Sequence, residues 1–109
     1  MAKSAIPVDL YALRPSDGKL DQALTVDSTS GGVQLTAYGE IVTHVFWTCE
    51  AAQCRFTLDG SAPTTTNGHP LEAGDVGVWP ASWLRTAKFI RTGSTSAILQ
   101  VSPLTMSGV

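Results

Sequence analysis

Charge is the scarcest thing in this sequence. Asp, Glu, Lys and Arg make up 15% of its 109 residues, against roughly 25% in an average soluble protein. Ser, Thr and Gly fill the gap, so much of the surface is neutral and polar, or covered by something else. A small domain with few charges suits life inside an assembly, where each charge would have to be desolvated. The net charge of −2 gives no electrostatic basis for binding nucleic acid directly.

Histidine and cysteine are nearly absent, with two of each. A zinc site needs four ligands, and neither His44 nor His69 stands at a ligand spacing from Cys49 and Cys54. A Ser, Thr or Cys nucleophile needs a base. His44 sits inside an apolar run, and His69 follows Asn67-Gly68 in a turn. The carboxylates are scattered through loops, with no pair placed for acid–base work. Gly31-Gly32 lacks the following Lys or helix of a phosphate loop. The expectation is a protein that is not an enzyme, with no catalytic residue, no cofactor and no metal.

Long apolar runs are missing as well. No stretch approaches the ~18 apolar residues of a membrane span. Met1-Ala2-Lys3 leads into Pro7 and Asp9 without the apolar segment of a secretory signal. The expectation is synthesis in the cytoplasm and no membrane partner.

What the chain does have is β-structure. In Arg55-Phe56-Thr57-Leu58-Asp59-Gly60, Phe56 and Leu58 fall on one face and Arg55 and Thr57 on the other. Asp59 accepts hydrogen bonds from its own turn, and Gly60 takes φ > 0 without a Cβ clash. Ile41 to Thr48 is rich in β-branched and aromatic residues, with Thr43, Val45 and Trp47 on one face and His44, Phe46 and Thr48 on the other. Further strands are expected at Val33–Ala37, Val76–Trp79, Ala87–Arg91 and Ser96–Ser102. Gly39, Asn67-Gly68 and Gly93 punctuate them. Short strands at this spacing predict an all-β fold, a single β-sandwich of immunoglobulin-like or jelly-roll-like type, or else a small barrel. Pro80 to Thr86 is the one helical candidate, at most a single α or 3₁₀ turn.

Residues 1–32 read differently. Pro7, Pro15, Asp17-Gly18 and Gly31-Gly32 break them up, and Ala23-Leu24-Thr25-Val26 is their only strand-like run. The expected division is an extended N-terminal arm over 1–32 and a sandwich domain over 33–109. Such an arm either binds a neighbour or frays.

Cys49 and Cys54 flank Glu50-Ala51-Ala52-Gln53. If those four form a hairpin loop, a disulfide is within reach. Free buried thiols are the alternative, and the one favoured without a secretion signal.

Two groups of surface candidates remain. Trp47 alternates with Val45 and belongs to the core. Trp79 and Trp83 flank Pro80-Ala81-Ser82 and are expected at one end of the sandwich, as an interface anchor or, as the second choice, a sugar platform. All nine acids lie between Asp9 and Asp75, and beyond them the only charges are Arg85, Lys88 and Arg91. Those three bases either meet an acidic partner surface or are solvated side chains.

The motif Thr57-Leu58-Asp59-Gly60-Ser61-Ala62-Pro63-Thr64 is similar to the strand and turn of chitobiase C-terminal immunoglobulin-like modules, with Phe56 where that family prefers Tyr. Residues 33–102 resemble a group of small structural proteins of tailed bacteriophages. That likeness rests on Asp59 to Thr64, on Asn67 to Asp75, on Lys88-Phe89-Ile90-Arg91, and on Thr95-Ser96-Ala97 with Leu99 and Val101. It implies a virion component, a capsid decoration (cement) protein. Such a protein binds the major capsid protein between subunits, as a homo-oligomer, and stabilises the mature head. Neck, tail or fibre placement is the alternative it leaves open, and a carbohydrate-binding sandwich is the alternative outside it.

Overall fold

A computed structural model describes residues 12–106. Eight strands form: β1 (Leu13–Pro15), β2 (Gln22–Val26), β3 (His44–Glu50), β4 (Cys54–Thr57), β5 (His69–Leu71), β6 (Val76–Pro80), β7 (Lys88–Arg91) and β8 (Ala97–Met106). A 3₁₀ helix over Ala81–Arg85 follows β6, with Pro80 as its N-cap. The strands make two antiparallel sheets, a five-stranded one and a three-stranded one ordered β5-β4-β7. The fold is an all-β sandwich.

In the larger sheet β8 is the spine. One of its edges pairs with β3, which pairs in turn with β6. Its other edge pairs first with β2, over Ala97 to Val101, and then with β1, over Leu104 to Met106. β8 runs on past the expected end at Ser102. Pro103 has no N–H, but its carbonyl still accepts from the Ser16 N–H at 3.1 Å, so the strand continues through it.

The segment expected as an arm therefore contributes two strands to the sheet, over 13–15 and 22–26. The short strand foreseen at 23–26 forms as β2, and Val26 is fully buried. Thr105 and Ser16 share a buried hydroxyl pair at 2.5 Å. The boundary at residue 32 does not separate an arm from a sandwich, because backbone pairing with β8 holds 13–26 in place. Residues 1–11 of the expected arm lie outside the described residues.

The strand expected at Val33–Ala37 is reduced to a single bridge. Val33 and Phe89 exchange two backbone bonds of 2.8 Å. Beyond it, side chains replace the ladder: the Gln22 amide bonds both the N–H and the carbonyl of Thr36, and the Tyr38 hydroxyl donates to the Leu20 carbonyl. Arg91 N–H donates to the Asp27 carbonyl at 3.0 Å. The 27–33 stretch thus links β2 of one sheet to β7 of the other and closes that side of the sandwich.

Strand alternation places the core between the sheets. Val45, Trp47, Trp79, Leu99 and Val101 point in from the larger sheet, and Cys54, Phe56, Leu71 and Phe89 from the smaller one. Trp79 is the hub: its ring centroid lies 4.6 Å from Trp47, 5.2 Å from Phe56 and 6.0 Å from Phe89. Close approach of Trp47 needs Gly77, where an added Cβ would lie 2.8 Å from the indole Cζ2. Trp79 is 7% exposed. The expectation that it anchors an external interface is corrected by its position opposite Val45, on the inward register of β6.

β3 and β4 are not a hairpin. They belong to different sheets, and the chain crosses between them through Ala51. Ala51 takes φ 76° in a three-residue turn closed by the Ala52 N–H on the Glu50 carbonyl.

Candidate interaction surface

The turn at Asp59-Gly60 forms as its residues dictate. Asp59 Oδ1 accepts from the Ser61 N–H at 3.0 Å and from the Ser61 hydroxyl at 2.6 Å. Gly60 sits at φ 85°. The two bonds from Ser61 hold the Asp59 carboxyl below its ordinary range. From this turn, residues 61–68 fold back across the outer face of the smaller sheet. Arg55 pins them, donating from Nε to the Thr65 carbonyl at 3.1 Å and from Nη1 to the Gly68 carbonyl at 2.7 Å. Thr57 donates to the Ser61 carbonyl, and Pro63 is buried beside Gly32 and Lys88.

A hollow of about 510 Å³ opens beside this turn, lined by Phe56, Thr57, Leu58, Asp59, Ser61, Asn67, Gly68 and His69. It holds a serine, a histidine and an aspartate, but not in a nucleophile–base arrangement. The Ser61 hydroxyl donates to Asp59, while the His69 ring packs on Phe56 at 5.4 Å between centroids. Among the described residues no three His, Cys, Asp or Glu side chains lie together as metal ligands. No helix among them is long and apolar enough to cross a membrane.

Cys49 and Cys54 are free buried thiols. Burial pushes Cys54 up to about 12 and raises Cys49 as well. Both are protonated at neutral pH, which makes them poor nucleophiles.

The other sequence-derived contact residues do not converge. Trp83 is half-buried and its ring lies 6.0 Å from Trp79, so it seals the core rather than projecting from it. Lys88 and Arg91 are three residues apart on β7 and turn to opposite faces. Arg91 is half-buried, with Nη1 donating to Ser96 Oγ at 3.3 Å and a buried Nε that has no partner. Arg85 is exposed at the end of the 3₁₀ helix, its carbonyl taken by the Gln34 amide at 2.8 Å. The bases form no shared patch.

The surface that stands out is the outer face of the larger sheet. The register sends His44, Phe46, Thr48 and Glu50 of β3 outward, together with Val76, Val78 and Pro80 of β6. From β8 it adds Ile98, Gln100, Ser102, Leu104 and Met106, with Ala23 and Thr25 of β2 alongside. Phe46 is 42% exposed and Val76 is 62% exposed. Glu50, at one corner, is the only charged side chain on these strands' outer positions, and Gln100 reaches toward it at 3.4 Å. A β-sheet facing water normally carries polar residues at alternate positions; here Phe46, Val76, Val78, Ile98, Leu104 and Met106 take many of those positions, among His44, Thr48, Gln100, Ser102 and Thr25.

No family model matches the chain, and comparison with curated proteins and with solved structures finds none that is similar.

The signal for this face was in the sequence: Phe46 and Val76-Gly77-Val78 are apolar at positions that alternate with core residues. On β6 alternation alone does not say which of two apolar faces is the inner one.

Proposed function

We propose that this chain is a non-enzymatic bacteriophage virion protein, a capsid decoration protein that lays the outer face of its larger sheet against the shell. The observation that carries the reading is that face: rich in apolar side chains, with Phe46 and Val76 exposed, and with Glu50 as its one charged residue. Burying exposed apolar surface such as Phe46 and Val76 is favourable by roughly 25 cal/mol per Å², and with Glu50 alone at the corner little charge has to be desolvated. The low overall charge, and the resemblance of the turn and strand motifs to those of small phage structural proteins, support the same reading.

The size of the face sets the mechanism. Four strands at ~4.8 Å spacing, five to seven residues long at ~3.4 Å each, span roughly 400 Å². That is about half of what each partner buries in a stable pairwise complex. A single contact of this size is weak. Many copies on a regular lattice each add a small term, and a protein that binds only the mature lattice stabilises that state by its binding free energy. The partner in this reading is the major capsid protein, at junctions between its subunits.

The test is copy number in purified particles, measured by mass spectrometry against the major capsid protein, together with heat resistance of particles made without this chain. Hundreds of copies and a lowered disruption temperature are expected. A dozen copies or fewer would move the protein to a neck or tail ring, as lattice symmetry dictates. Absence from particles would end the virion reading. The carbohydrate alternative depended on exposed tryptophans, and with Trp79 buried and Trp83 packed on it that platform is not formed.

A further inference from the structure

The sandwich is closed on one side and open on the other. The 27–33 stretch joins β2 to β7, but the opposite edge of the larger sheet is β6, which among the described residues pairs only with β3. The direction of its backbone groups follows from bonds just beyond the strand. Cys49 N–H donates to the Asp75 carbonyl at 2.9 Å, and Ala81 N–H donates to the Thr43 carbonyl at 3.0 Å. Antiparallel ladders alternate, so Gly77 and Trp79 turn their N–H and C=O toward β3. Val76 and Val78 turn theirs away from it.

Edge strands are ordinarily blunted by Lys, by a mid-strand Pro or by a bulge, because an unpaired edge is a template for another chain. β6 has none of these. Val76-Gly77-Val78-Trp79-Pro80 carries no charge, and its proline is the last residue.

We propose that β6 is the contact between two copies of this chain, paired antiparallel about a two-fold axis at Gly77. Chemistry selects the register. About Gly77, Val76 of each copy lies opposite Val78 of the other. Both residues present outward groups, so the two pairs exchange four N–H···O bonds. An axis at Val78 would set Val76 against Pro80, which has no N–H. An axis at Val76 would set Val78 against Gly74, whose N–H is already given to the Cys49 carbonyl at 2.8 Å. Of these three, only the Gly77 axis pairs every N–H and C=O of Val76 and Val78. The Asp75 carboxylates then fall at opposite ends of the pairing, about 13 Å apart along it, and do not oppose each other. The contact is isologous and therefore closes at two copies. It fuses the two larger sheets into one and joins their outer faces, so Phe46, Val76 and Val78 of both copies form one apolar strip. The pairing is a property of the free chain and stands apart from the virion reading.

The test uses the full chain, purified with reductant to keep Cys49 and Cys54 as thiols. Sedimentation over a concentration series should give a monomer–dimer equilibrium. A mixed sample of labelled and unlabelled chain should show an intermolecular NOE between the Gly77 α-protons, which meet across the axis. Val78→Lys and Val76→Lys should each abolish the dimer while keeping the unfolding midpoint that the wild-type chain shows when diluted to monomer. A wild-type chain that stays monomeric at every concentration would overturn the proposal. So would a dimer that survives both lysine variants, or one that lacks the Gly77 contact. Monomers that still coat particles would refute the pairing and leave the virion reading intact; dimers absent from particles would do the reverse.

Discussion

The outer faces of the two sheets differ in what lies on them. The smaller sheet turns Arg55, Thr57 and Lys88 outward, and the chain folds back over them through residues 61–68. The larger sheet turns Phe46, Val76, Val78, Ile98 and Leu104 outward; Phe46 and Val76 are exposed, and Val78, Ile98 and Leu104 are half-buried. The protein has thus laid its own loop over Arg55 and Thr57 on one sheet and left Phe46 and Val76 exposed on the other. A free monomer gains nothing by that division, since exposed apolar surface is the costlier of the two to leave in water. It makes sense for a chain whose larger sheet meets a partner.

The largest break in this comparison comes from the interior that both sheets share. Trp79→Ala removes the ring on which Trp47, Phe56, Phe89 and Trp83 converge. It should cost about 3–5 kcal/mol, read by chemical denaturation, and so abolish both faces together. Gly77→Ala forces a methyl against the Trp47 ring, 2.8 Å from Cζ2. A loss of about 1–3 kcal/mol is expected in the same assay. If it were neutral, the packing of Trp47 on Gly77 would be wrong.

Two milder variants separate the faces. Arg55→Ala removes both bonds that pin the 61–68 loop. The expected loss is about 1 kcal/mol per bond at most, with faster limited proteolysis inside the loop and unchanged binding to particles. Phe46→Ser alters the bare face alone. It should change stability by less than about 1 kcal/mol, yet weaken attachment to particles. The smallest effect is electrostatic. Bonds from Ser61 hold Asp59 below its ordinary 3.8. Their contribution is present above that value and lost as pH falls through the lowered one. The Asp59 carboxyl should titrate below 3.8 by NMR, and Ser61→Ala, which removes the hydroxyl bond but keeps the N–H bond, should raise it part of the way back.

Much of the smaller sheet was legible because its signals are local. The Asp59-Gly60 turn needs only neighbours within two residues, and the alternation around Phe56 is visible in four. The larger sheet was legible in its middle, where Val45 and Trp47 alternate with Phe46. Its far edge was not. Leu13-Arg14-Pro15 has no pattern of its own and becomes a strand by pairing with Leu104 to Met106, some ninety positions away, a separation marked by the Ser16–Thr105 pair. No window of sequence contains that pairing. The same holds for Trp79, which is apolar on a strand apolar on both faces. Only the placement of β3 beside β6 decides that the indole goes in and the valines go out. The outer face is hidden in the sequence for this reason: Trp79 lies on the inward side of the strand whose outward side carries Val76 and Val78.

The most direct test of the account is side-chain footprinting. Hydroxyl-radical labelling of the free chain and of the chain on purified particles would report Phe46, Val76 and Leu104 on one sheet, and Pro70 and Ile90 on the other. Protection of Phe46, Val76 and Leu104 with Pro70 and Ile90 unchanged is the predicted result. Protection of the smaller sheet with Phe46 still fully labelled would contradict it.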